Sequence, residues 1–170
     1  SEPVLIEGSQ GTGKERIART LHYNGSSTGP FVQLRCNALS ADSLDLELFG
    51  YTKGAFPGAN VDRPGLFHRA QDGTLFLDEI GELPLEIQRR MLAFLETGSI
   101  QRRGTSRRSD RLDLRLIAST SVSLEAAVRE ETFVRELFER LSTIVLVAPP
   151  LAGRPEDIEP IVRHGIECFG

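Results

Sequence analysis

The sequence predicts an α/β domain built on a parallel sheet, and three observations carry that prediction. Short apolar runs rich in β-branched residues recur at Val4–Ile6, Phe31–Leu34, Thr74–Leu77, Leu112–Ala118 and Ile144–Val147. Between them lie stretches with helical spacing at Lys14–His22, Asp42–Phe49, Leu85–Thr97, Ser123–Arg129 and Phe133–Leu141. Such alternation implies a parallel sheet with helices on both faces. Finally, a glycine-rich segment follows the first apolar run and opens the first helical one, at the strand end where sheets of this class hold ligands.

Size and composition suit one such domain. The chain has 170 residues, 39% hydrophobic and 26% charged, enough for a real core and outside the disordered class. Its net charge of −4 leaves no global basic footprint, so contact with nucleic acid requires a local patch or another segment. The two cysteines, Cys36 and Cys168, lie far apart, and there is no secretory signal and no apolar run near 18 residues. We therefore expect reduced thiols, a cytoplasmic location and no membrane span. The chain starts almost at its first strand and stops inside an apparent helix, Glu156 to Phe169, and is expected to be an excised piece with flanking domains.

Taken in order, the elements deliver chemistry to one edge. The first strand runs into Gly8, Ser9, Gln10, Gly11, Thr12, Gly13, Lys14 and Glu15, a P-loop. Its glycines let backbone N–H groups approach phosphate oxygens, the next helix points its positive end there, and Lys14 reaches the β/γ-phosphates. The expected ligand is a nucleoside triphosphate. Glu15 stands where a P-loop usually has the hydroxyl for Mg²⁺. After the second strand and its helix comes a long segment, residues 50–73, punctuated by glycine and proline and expected to be functional or mobile.

The third strand, Thr74–Leu77, ends in Asp78 and Glu79, a Walker B pattern with an extra acid. Asp78 is the candidate Mg²⁺ holder and Glu79 the group that orients the attacking water. Alone, two acids after an apolar strand fit solvated carboxylates equally well; the P-loop tips the balance. Pro84 marks the start of the helix at Leu85. An irregular stretch, Gly98–Asp110, carries Arg102, Arg103, Arg107 and Arg108, and with Asp110 and Asp113 nearby and no interleaved aromatics it reads as a solvated loop, the alternative being a basic patch for nucleic acid or a protein partner. The fourth strand ends in Ala118, Ser119, Thr120 and Ser121, and the hydroxyls of Thr120 and Ser121, taken alone, fit a strand-end turn. His22, His68 and His164 lack partners at metal spacing.

From Val4 to about Ile158 the chain resembles one family, the AAA+ central domain of bacterial enhancer-binding proteins. The resemblance rests on Glu47-Leu-Phe-Gly50, Lys53-Gly-Ala-Phe-Pro-Gly-Ala59, Gly73-Thr-Leu-Phe-Leu-Asp-Glu-Ile80, Pro149-Pro-Leu and Arg154-Pro-Glu-Asp-Ile158. It implies a Rossmann-like sheet of five parallel strands in order 5-1-4-3-2, with an AAA+ core at 1–155 and the start of a truncated helical lid at 156–170. It also implies ATP and Mg²⁺ as cofactors, with Asp78 and possible help from Glu15 at the metal. Its implied partners are RNA polymerase with the sigma-54 factor, a homo-oligomeric ring, and DNA through a C-terminal domain outside this chain. Glu15 is the family's usual choice. Gly54, Ala55, Phe56, Pro57, Gly58 and Ala59 match the loop that contacts the sigma factor, where Phe56 is expected at an exposed, mobile tip, the alternative being a Phe buried in a tight turn.

Three departures qualify this. Pro57 replaces the family's threonine in that loop, removing a hydroxyl and a donor, and weakened or lost sigma-54 engagement is expected. Arg35 stands at the family's Asn switch position, where it either pairs with Glu79 and draws it from the water or turns to solvent, with Asn37 an imperfect substitute. Of the two arginines offered to a neighbouring subunit, Arg140 matches the second, but Val134 fills the first, and Arg135 is one residue, about 100° of helix, out of register. Thr120 and Ser121 match the γ-phosphate sensor, with short reach. Two readings follow: an ATPase driving sigma-54 polymerase, or a divergent nucleotide-binding or oligomerisation module that regulates transcription with little hydrolysis or without remodelling.

Overall fold

The computed structural model describes residues 2–25, 28–105 and 109–150. The expected lid at 156–170, the Arg154–Ile158 motif, Arg107, Arg108, Cys168 and His164 lie outside the described residues. In chain order the elements are β1 (Val4–Glu7), α1 (Lys14–Tyr23), β2 (Phe31–Arg35), α2 (Ala41–Phe49), β3 (Gly50–Tyr51) and β4 (Arg63–Pro64). There follow α3 (Leu66–Arg69), β5 (Thr74–Asp78), α4 (Leu85–Thr97), β6 (Ser99–Ile100), β7 (Asp110–Arg111), β8 (Arg115–Thr120), α5 (Leu124–Arg129), α6 (Arg135–Leu141) and β9 (Ile144–Val147).

The five long strands form one sheet in the order β2-β5-β8-β1-β9, every pairing parallel. Read from the other edge this is the expected order 5-1-4-3-2. The apolar runs are continuous because the sheet is covered on both faces. In β5, Leu75 and Leu77 join the larger core under α2, α4 and α6, while Phe76 points the other way, to Val4, Ile6, Ile117 and Ala18 of α1. Fully burying each such side chain contributes about 1.5–3 kcal/mol.

Element boundaries moved where tertiary hydrogen bonds overrode local pattern. The fourth long strand starts at Arg115 rather than Leu112, because the Leu112 amide donates to Gly98 and the Asp113 carbonyl accepts from Asp72. The last helix starts at Arg135, since the Phe133 amide donates back to Ala127 and the Val134 amide to the Gln88 side chain. Ser123 is the cap of α5, its hydroxyl accepting from the Ala126 amide. Two small ribbons appear where irregular chain was expected: β3 pairs antiparallel with β4, and β6 with β7. They are joined, since the Thr52 amide donates to Arg103 and the Arg103 amide to Gly50.

Candidate functional site

Gly8–Glu15 lies beyond the end of β1, at the carboxyl edge of the sheet. The Gly8 amide donates to the Thr120 carbonyl of β8, and the Ala148 amide after β9 donates to the Glu7 carbonyl, so both neighbouring strands clamp the start of the loop. Gly11 and Gly13 have φ of +81° and +82°, and a Cβ on either would meet nothing within 4 Å. They face an open cradle, part of a cleft of about 310 Å³ lined by Gln10–Glu15, Arg35, Asp78 and Glu79. Gly13 leads into α1, whose first-turn N–H groups point at that cleft.

Lys14 is buried, with 6% of its side chain exposed, and its Nζ donates to the carbonyls of Gly8 at 2.8 Å and Ser9 at 3.3 Å. It also lies 3.3 Å from Glu79 Oε1. Ser9 and Gln10 are exposed, whereas the buried Thr12 turns its hydroxyl inward to the Ser9 carbonyl. Glu15 lines the cleft with its carboxylate held by Arg19 at 2.9 Å. A hydrogen bond from Gln33, against partial burial and reinforced by Arg19 and then Arg35, keeps that carboxyl below its ordinary range.

Asp78 ends β5, and Glu79 follows with φ 59° and ψ 55°, left-handed geometry that a non-glycine residue adopts at a cost of about 1–3 kcal/mol. Glu79 is 6% exposed. Burial opposes its charge, but hydrogen bonds from the Ser121 side chain and backbone, with the charge of Lys14, outweigh it and hold the carboxyl below the ordinary 4.5. The Ser121 hydroxyl donates to Oε2 at 2.7 Å and the amide at 2.9 Å. Asp78 receives the Ser119 hydroxyl on Oδ1 at 2.5 Å. Beneath them Cys36 is buried, its thiol pushed up to about 12 by burial and then by the charges of Asp78, Glu79 and Glu82, which leaves it unreactive.

Several expectations change here. Arg35 pairs with Asp78 and not with Glu79: in the parallel register Arg35 stands beside Asp78, and its Nε lies 3.4 Å from Oδ2. The serine and threonine after β8 divide their work. Thr120 turns back to Val122, donating to its carbonyl at 2.9 Å, as a strand-end turn does, while Ser121 holds Glu79. Ser119 was not among the expected site residues. The available signal was a hydroxyl within a buried apolar strand, one step beyond Ala118, which pairs with Leu77 next to Asp78.

The loop 54–59 is closed by its own backbone hydrogen bonds. The Gly54 amide donates to Ala59, the Ala55 amide to Thr52 and the Ala59 amide to Phe56. Phe56 is half-buried, its ring edge-on to Tyr51 at 5.0 Å, rather than an exposed tip. Pro57 and Gly58, φ +97°, occupy the central positions of the Phe56–Ala59 turn, the pair that a type II turn favours. The amide that proline lacks is therefore not needed within the loop. Val134 is half-buried against the core, Arg135 is exposed, and Arg140 projects from the end of α6, 56% exposed and 4.0 Å from Glu96.

Residues 1–147 match the family described as the Sigma-54 interaction domain. The regulatory protein AtoC of Escherichia coli strain K12 is 48% identical over 167 residues, covering 98% of this chain and 36% of that protein. The Sigma54-dependent transcriptional activator SfnR of Pseudomonas putida is 46% identical over 167 residues, 98% of this chain and 45% of that protein. The crystal structure of NtrX from Brucella abortus in complex with ATP is similar with a TM-score of 0.84 at 33% identity, covering 96% of this chain and 36% of that one. The chain thus spans less than half the length of these relatives.

Proposed function

This chain belongs to the Sigma-54 interaction domain family, and on that premise we propose that it binds ATP at Gly8–Glu15 and couples binding or hydrolysis to remodelling of RNA polymerase carrying sigma-54. The observation that carries the reading is the buried Lys14 amine between the loop carbonyls and Glu79, at an open cradle lined by Asp78. A triphosphate arriving in the cradle competes for Lys14. That releases Glu79 Oε1 to accept a proton from water, while Ser121 keeps Oε2 fixed and the carboxylate oriented.

Asp78, an oxygen donor at the cleft wall, fits Mg²⁺, with Glu15 as the further candidate once Arg19 gives way. Among the described residues no group of three or more His, Cys, Asp or Glu side chains is placed to hold a metal ion. Bound there, Mg²⁺ supplies neutralisation of the developing phosphate charge. Arg140, exposed at the end of α6, acts on the ATP of an adjoining subunit in a homo-oligomeric ring, and DNA is reached through a further domain. No helix among the described residues is long and apolar enough to cross a membrane.

A phosphate-release assay on the parent protein tests hydrolysis. Turnover abolished by Glu79→Ala supports it, and the absence of turnover in both proteins excludes it. A second reading, a regulator that binds ATP without remodelling sigma-54 polymerase, is favoured by Val134: its amide is held by Gln88 and its side chain packs on the core, so that position offers no charge to a neighbour. Normal sigma-54-dependent open-complex formation would exclude this second reading.

A further inference from the structure

Arg35 stands in the cleft with no task in the proposed hydrolysis. The pairing of β2 with β5 fixes it beside Asp78, with Nε 3.4 Å from the carboxylate. Nε is the nitrogen nearest the stem; among the described residues neither terminal nitrogen has a protein partner. The side chain is 64% exposed, so its outer edge is open to the cleft that it lines with Lys14 and Glu79. Across that cleft its charge also reaches Glu15.

A guanidinium presents its N–H groups as a planar fork that matches phosphate oxygens, and an inner contact to a carboxylate fixes the fork's direction. Here two cations flank two adjacent acids: Lys14 at 3.3 Å from Glu79 and Arg35 at 3.4 Å from Asp78. The phosphate that reaches these acids is the terminal one, because Glu79 is where water is activated. We propose that Arg35 binds the terminal phosphate of a nucleoside triphosphate from within its own chain and so sets the preference for triphosphate over diphosphate.

The inference rests on the ATP reading above. It gives the chain a cis arginine where the trans pair is reduced to Arg140 by Val134, and an arginine serves phosphoryl transfer from either side.

Calorimetric titration of the full chain with ATPγS and with ADP, each in Mg²⁺ and in EDTA, tests this. Arg35→Ala is expected to weaken ATPγS roughly 10-fold or more and ADP less than about 2-fold, as for loss of a charged hydrogen bond made only to the terminal phosphate. Arg35→Lys restores part of the loss, and the loss persists at dilutions where the chain is monomeric. Equal losses for both nucleotides, no loss, or a loss confined to assembled protein each overturn the inference. Wild-type chain that binds neither nucleotide removes the ATP reading and this one with it. ATPγS binding that needs Lys14 but ignores Arg35 removes this inference alone.

Discussion

The P-loop cleft and the 54–59 loop are built by opposite means. In the cleft, charge is buried: Lys14 and Glu79 are each 6% exposed, and each is held by several partners, so any change leaves a charge stranded. In the loop, backbone amides and carbonyls bond one another across Gly54–Ala59, and side chains contribute little beyond Phe56 on Tyr51. The contrast teaches where sequence departures matter. Pro57 is absorbed by a turn that has no use for its amide, whereas Arg35 changes the electrostatics of the cleft.

The largest effect is expected from Lys14→Ala, which removes the one buried amine of the cradle. ATPγS affinity measured by calorimetry should fall roughly 100-fold or more, and binding that survives would mean that the cradle does not hold its phosphates through Lys14. Next is Gly50→Ala, at the base of the loop. A Cβ there meets the Arg63 carbonyl at 2.3 Å and the Gly65 amide at 2.4 Å, with φ at +76°. Urea denaturation should show a loss of about 2–3 kcal/mol from clash and left-handed strain. An unchanged midpoint would mean that the loop is not anchored through β3.

Ser121→Ala sharpens the account of charge. Because the folded Glu79 carboxyl sits below its ordinary 4.5, its contribution to stability is present above that value and is lost as pH falls through the folded value. Removing the hydroxyl should cost about 1–2 kcal/mol at pH 7, and the two proteins should converge in stability only once the pH has fallen below the folded Glu79 value. A pH-independent difference would separate Ser121 from Glu79. The smallest effect is expected from Pro57→Thr: a loss below about 1 kcal/mol, since proline suits its turn position and restricts the unfolded chain. In the parent protein the same substitution should strengthen sigma-54-dependent open-complex formation.

The sheet was legible because burial on both faces forces uninterrupted apolar runs, as in Thr74–Leu77, and the strand order followed from the family resemblance. The cradle was legible because glycines and a lysine at fixed spacing have few other uses. The choice of partner within the site was not. Whether Arg35 meets Glu79 or Asp78 depends on the register of β2 against β5, and one residue of register exchanges the two acids. The β3–β4 and β6–β7 ribbons escaped because two-residue strands carry no periodicity; cross-loop bonds such as Arg103 to Gly50 create them.

The position of β1 has a consequence for how the chain comes to fold. Val4 pairs with Ile117 on one side and Ile144 on the other, so the strand that carries the P-loop precedes both of its partners in the chain and is enclosed only when β9 joins the sheet. Contacts of such long sequence separation form slowly, after the loop entropy of nearly the whole domain has been overcome. A ribosome-bound chain that ends before Ile144 lacks one of the two strands that clamp Gly8, and nucleotide retention by nascent chains of increasing length should rise sharply as β9 leaves the exit tunnel. Occupancy of the cradle therefore reports that the five-stranded sheet has been completed.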